Sequence, residues 1–148
     1  MVHKEDNRSL TLIDYEYTGW CTRATDLANF VNECAIDNAH PGGFGVKIYH
    51  ENMMSDAERL SFLTEYLRLS YEHADDGETR TWDAYVAQEL PPLDLEVKRM
   101  CLMTSFQWAV WALKMLNESE VCNEEVYNIW YAQERVRFYL KQKEVWSM

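Results

Sequence analysis

The pentapeptide Ile13-Asp14-Tyr15-Glu16-Tyr17 sets two carboxylates two residues apart. In an extended segment such a pair points to one face. Leu10 to Tyr17 is rich in β-branched and aromatic residues and reads as a β-strand, with Asp14 and Glu16 near its end. Paired carboxylates there suit a hard divalent cation. Mg²⁺ takes one or two carboxylates and completes its oxygen shell with water and substrate phosphates. A solvated strand edge has the same spacing, so the pair alone leaves both readings open.

Two other groupings carry less. Gly42-Gly43-Phe44-Gly45-Val46-Lys47 has the glycine density of a phosphate loop, but it lacks the Gly-Lys-Ser/Thr ending and reads as a plain connection. Cys21, Cys34, Cys101 and Cys122 form no Cys-x-x-Cys pair and stand at no zinc-type spacing from His3, His40, His50 or His73. They are expected to be reduced, mostly buried thiols of a cytoplasmic protein.

These residues need elements to hold them. The chain has 148 residues, 47% of them hydrophobic, which is enough for one domain with a core. A formal charge of -11 repels phosphate backbones and anionic lipid, so no nucleic-acid partner is expected, and the sign weakly favours a cationic ligand. Met100 to Leu116 is short for a membrane span and carries Thr104, Gln107 and Lys114, so it reads as a buried helix and no membrane insertion is expected. Asp26 is placed to N-cap a helix reaching about Ile36, with Leu27, Phe30, Val31 and Cys34 as its apolar stripe. A loop follows, from Asp37 to Gly45. Ser55 and Glu58 form a capping box ahead of Leu60, Leu63, Leu67 and Tyr71 at helical spacing, and Asp75-Asp76-Gly77 closes that helix. A shorter helix from Thr81 is expected to stop at Pro91-Pro92, and Pro92 to open a central buried helix to about Asn117. Asn123 is a candidate N-cap for the last helix. The fold class is mainly α, with one β-strand at its start. A lone strand cannot satisfy its own backbone groups, so its partners are expected in sequence beyond this chain.

Read onward from Asp14, the segment IDYEYTGWCTRATDLANFVNE resembles the signature of the choline/ethanolamine kinases. Asp14, Glu16, Tyr17, Asp26, Asn29 and Glu33 fall in its register, while Cys21 and Thr25 depart from the usual Asn and Phe. Ser105-Phe-Gln-Trp108-Ala-Val-Trp111-Ala is similar to the family's Trp-x-x-Trp helix, and Tyr131-Ala-Gln133-Glu-Arg135 to its final helix. The resemblance implies the helical C-terminal lobe of a protein-kinase-like fold. It also implies ATP-dependent transfer of a phosphoryl group to choline or ethanolamine in phospholipid biosynthesis.

Roles follow position by position. The resemblance implies that Asp14 is the catalytic metal aspartate, holding with Glu16 the Mg²⁺ that bridges the ATP phosphates. Asp26 would be a supporting carboxylate at a helix start, or simply an N-cap. Tyr17, Glu33, Trp108, Trp111 and Tyr131 match the residues around the amine, and a further aromatic position of that pocket falls at Asn38. A quaternary ammonium has no N–H, so aromatic faces and a carboxylate suit it. Trp108 and Trp111 share a helix face, and a hairpin of the last two helices turning near Glu120 would bring Tyr131 level with them. The same aromatics are equally a core stripe. A related aminoglycoside-type phosphotransferase and a non-catalytic acidic helical module are the alternatives.

Phosphoryl transfer in kinases also needs a Gly-rich hairpin and a catalytic loop with a base Asp and a metal-binding Asn. No His-x-Asp-x-x-x-x-Asn run occurs in residues 1–148. The chain is therefore read as the C-terminal part of such an enzyme, with ATP held mainly elsewhere and with self-association possible through its open strand. By itself it is expected to transfer no phosphate from ATP to choline or ethanolamine. Turnover above the blank, from a preparation free of host kinase, would contradict this.

Overall fold

Ser55 does what its spacing from Glu58 requires. Its hydroxyl accepts from the Glu58 N–H, and the Glu58 carboxylate accepts from the Ser55 N–H at 2.9 Å, so two orphan donors of the helix start are satisfied at once. The helix that follows, α2, spans Asp56–Glu72. The computed structural model describes residues 19–42, 45–74, 79–116 and 122–148, the side chains of the last segment from Val126 onward. The expected strand at residues 10–17, and with it Asp14, Glu16 and Tyr17, lies outside the described residues.

In order, α1 is Arg23–Glu33, β1 Ile36–Asp37 and β2 Lys47–Ile48, followed by a 3₁₀ turn at His50–Asn52. Then come α2, α3 at Trp82–Met115 and α4 at Cys122–Val145. The domain is mainly helical, and α3 packs against each of the other three helices. One side of α3 meets α1 and α2 through Leu93, Val97 and Cys101, against Ala24, Leu27, Val31, Leu63 and Leu67. Further along, Ala109 and Ala112 meet Tyr131 and Ala132 of α4.

Several sequence expectations change here. α1 starts at Arg23 behind Thr22, so Asp26 is an exposed residue of its first turn and not the N-cap. Its buried face is Ala24, Leu27, Ala28, Val31 and Asn32, so Phe30 and Cys34 face outward. The helix is rotated because Asn32 is drawn inward by partners in α3. The loop expected at residues 37–45 contains part of a short hairpin in which Ile36 pairs with Ile48 and Asp37 with Lys47. Gly45 sits at φ 85°, where a side chain would be strained. Leu60 is exposed, and the neighbouring Arg59 is fully buried in its place.

The pair Pro91-Pro92 does not stop a helix. α3 runs through both as one element of 34 residues. Two missing N–H groups are costly inside a helix, but both prolines are exposed. Tyr85 before them and Leu93 and Val97 after them bury into the same core, which holds the two halves in line. Nor is α3 buried all round, because Met103, Phe106, Val110 and Leu113 remain exposed. No described helix is long and apolar enough to cross a membrane.

Arg59 explains how α2 is locked to α3. Its side chain is 0% exposed and donates to Asp94 at 2.7 Å and Asp56 at 2.6 Å, while Lys98 pairs with Asp94 at 2.8 Å. Burial alone would raise the Asp94 pKa, but the hydrogen bonds from Arg59 and Lys98, and their charges, hold it below the usual carboxylate range. The stability this contributes is present above the unfolded carboxylate pKa of about 3.9 and is lost as pH falls through the lower folded value. Arg59→Ala, which strands Asp94 against the core, is expected to cost about 3 kcal/mol at neutral pH. The difference between wild type and Asp94→Asn should shrink below about pH 4, as measured by urea unfolding across pH.

Candidate functional site

A polar knot inside the apolar interface sets the geometry of this region. Asn32 Nδ2 lies 2.9 Å from the Cys101 carbonyl, 2.8 Å from Thr104 Oγ1 and 3.2 Å from Ser105 Oγ. Gln142 Nε2 donates to Asn32 Oδ1 at 2.6 Å, and Ser105 Oγ donates to Gln142 Oε1 at 3.0 Å. Asn32, Thr104, Ser105 and Gln142 are all buried, so each unmet bond would cost the full desolvation of its group. The knot ties α1, α3 and α4 at one level. Register alone then places the next residues: Glu33 follows Asn32, and Trp108 lies about one turn beyond Ser105. Arg135 and Tyr131 lie two and three turns before Gln142.

These residues converge on the Arg135 guanidinium, which is 2% exposed. Its Nε and Nη2 donate to Tyr131 Oη at 2.8 and 2.6 Å, and Nη2 also donates to Glu33 Oε1 at 2.9 Å. The guanidinium carbon stands 5.0 Å from the Tyr131 ring centroid and 5.8 Å from that of Trp108. Trp111 meets Trp108 edge to face at 5.5 Å, and Tyr127 stacks on Tyr131 at 5.8 Å. Trp108 Nε1 reaches Asn29 Oδ1 at 3.4 Å, and Asn38 Nδ2 donates to Glu33 Oε2 at 2.9 Å. Burial pushes the Tyr131 phenol above its ordinary pKa, against the pull of Arg135, so the hydroxyl stays protonated.

Four of the residues picked from sequence are thus brought together: Glu33 from α1, Trp108 and Trp111 from α3, and Tyr131 from α4. The helical hairpin expected from their spacing is present, since Ser105 meets Gln142 and Ala109 shares a cluster with Tyr131. Asp26 stands apart, exposed in the first turn of α1. Among the described residues no group of three or more carboxylate, His or Cys side chains is suited to a metal. Of the three cysteines whose side chains are described, Cys21 and Cys34 are exposed, where the sequence predicts buried thiols. Cys101 is buried, and burial pushes its thiol up to about 12. An apolar groove of about 390 Å³, lined by residues such as Met103, Phe106 and Tyr139, lies on a different part of α3 and α4.

The sequence does not mark Asn32 and Gln142 as site-builders, and it gives Arg135 only a register. Their signal in the sequence is a polar residue at an otherwise apolar helix position. That pattern does not say which distant group satisfies it.

Comparison with known proteins agrees on one family. The family model described as choline/ethanolamine kinase matches residues 1–140. A human choline/ethanolamine kinase is 30% identical over 139 residues, covering 94% of this chain and 33% of that protein. Choline kinase A2 of Caenorhabditis elegans is 31% identical over 92% of this chain and 29% of its own length. Ethanolamine kinase 1 of Mus musculus is 28% identical over 97% and 35% respectively. The chain spans about a third of the length of these relatives.

If the polar knot sets helix register, Asn32→Ala should cost about 2–4 kcal/mol by leaving Gln142 Nε2 without its acceptor and Ser105 Oγ without one of its two bonds, a fall in Tm of roughly 5–15 °C. Asn32→Ala and Gln142→Leu together should cost less than the sum of the two alone, because they share one network. Full additivity in thermal melts would show that the two residues do not act together.

Proposed function

From a chain that belongs to the choline/ethanolamine kinase family, we propose the amine-binding part of an enzyme that transfers the γ-phosphate of ATP to the hydroxyl of choline or ethanolamine. The observation that carries this reading is the convergence of a carboxylate and aromatic rings from three helices, Glu33, Trp108 and Tyr131, around one cationic group. Rings with a nearby carboxylate are the chemistry by which an amine is held. In this reading Glu33 supplies the negative charge, Trp108 and Trp111 the apolar wall, and Tyr131 a fixed hydroxyl edge. Tyr17 would complete the wall from the segment that precedes α1.

Asp14 and Glu16 would hold Mg²⁺, whose contribution is to neutralise charge on the ATP phosphates during transfer. Asp26, next to the positive end of α1, would support the catalytic loop. The parent enzyme would have a protein-kinase-like fold, act in phospholipid headgroup synthesis and work in the cytoplasm. The chemistry of transfer asks little covalent work of these residues. Their task is to orient the hydroxyl and to balance charge.

Calorimetric titration of the chain with ethanolamine and with choline tests the reading. Saturable binding of at least one amine is expected. Trp108→Ala should weaken it by several-fold to about thirty-fold, equivalent to a lost cation–π contact of roughly 0.5–2 kcal/mol. In a polypeptide that transfers phosphate, the same change should raise the amine KM and leave that for ATP alone, while Asp14→Asn should lower kcat by orders of magnitude. Unchanged amine affinity in Trp108→Ala, with a lowered Tm, would make Trp108 a core residue only.

A further inference from the structure

The cation seat of this cluster already holds the chain's own Arg135. Its guanidinium is pinned by two bonds to Tyr131 Oη and one to Glu33 Oε1, and it is almost wholly buried. Two consequences follow for an incoming amine. The Coulomb pull of Glu33, which every ammonium would share, is largely offset by Arg135. The ring surface nearest Glu33 is also spoken for, since the guanidinium carbon lies 5.0 Å from the Tyr131 centroid and 5.8 Å from that of Trp108. Tyr127, nearly parallel at 13° and 5.8 Å away, covers more of Tyr131. A fully methylated ammonium needs an open ring face within about 6 Å, and beside Arg135 it would meet a like charge.

Hydrogen-bond acceptors, by contrast, are left over. An ionised carboxylate offers about four lone-pair sites. Arg135 uses one on Oε1 of Glu33, and Asn38 Nδ2 uses one on Oε2. The Glu33 side chain is 40% exposed, so its remaining sites can be reached from solvent. The Asn38 amide nitrogen is turned toward Glu33, and its amide oxygen is a further acceptor at the same rim. Asn29 Oδ1, beside the rings, already accepts from Trp108 Nε1 and keeps one lone pair. Both amines carry a hydroxyl, but at the cationic nitrogen only an ammonium that keeps N–H groups can donate to these acceptors, and such charge-assisted bonds are directional and strong.

We infer that this site selects an ammonium bearing N–H donors, the ethanolamine class, over a quaternary one, with Asn38 as a specificity-determining residue. The inference rests on the amine-binding reading above. Its test is a titration series of ethanolamine, its N-methyl and N,N-dimethyl derivatives, and choline, each against the whole chain. Affinity is expected to fall with each added methyl, to about tenfold weaker for choline. Asn38→Leu, at an exposed position, should weaken ethanolamine about fivefold and leave choline within about twofold. If Asn38→Leu does not fold, the methylation series on the unaltered chain decides alone. A flat series, or one that rises toward choline, would overturn the selectivity and leave the amine reading standing. An equal loss for both amines in a folded Asn38→Leu would remove Asn38 from the role. Binding of none of the four would overturn the amine reading and the selectivity with it.

Discussion

The buried amide of Asn32 is the contact on which the rest of this arrangement depends. Apolar packing between helices is tolerant of small slides and rotations, since side chains of similar size can exchange places at modest cost. A buried amide with partners on two other helices is not tolerant. Moving any helix by one residue leaves several polar groups without bonds in a low-dielectric interior, where each omission is expensive. The Asn32–Ser105–Gln142 network therefore selects one register from many that the apolar stripes would accept. Glu33, Trp108, Tyr131 and Arg135 inherit their positions from it.

Arg59 plays the corresponding part three turns earlier on α3. It joins α2 to α3 through Asp94, with Lys98 balancing the second carboxylate oxygen. Val97 lies between these two polar anchors, and the Pro91-Pro92 step and Leu93 lie just before the first, Leu93 packed with Val97 on Leu63 and Leu67. Helix α3 is thus held by specific bonds at Asp94 and at Ser105, around its middle, and by apolar contact on either side. Trp108 and Trp111 follow the second anchor within two turns, and side-chain placement is only as good as the element beneath it.

Charge gives the site its character. Glu33 and Arg135 come from helices far apart in sequence, yet they neutralise each other beside four aromatic rings. The aromatic surface is then less a bare cage for any cation than a wall with a built-in counter-cation and a rim of amide and carboxylate oxygens. The overall charge of -11 draws cations toward the molecule. Beside the rings the Glu33–Arg135 pair sets the local balance.

Much of this was legible in the residues themselves. The family register from Asp14 to Glu33 and the Trp108–Trp111 spacing are local patterns. Local patterns survive in sequence because helix and strand periodicity is a property of the chain. The capping box at Ser55 is legible for the same reason, since donor and acceptor are three residues apart. The hairpin at Ile36 and Ile48 was not, because two-residue strands have no period to read. The passage of α3 through Pro91-Pro92 and the burial of Arg59 were not legible either, since each depends on residues elsewhere that compensate a local penalty. The pairing of Glu33 with Arg135, across 102 residues, belongs to the same class. Sequence determined where helices form (though not the continuity of α3), their faces to within a rotation and the chemical types available to the site. Only tertiary structure decided which buried polar groups meet, because the energy that selects those partners exists only once distant helices exclude water together.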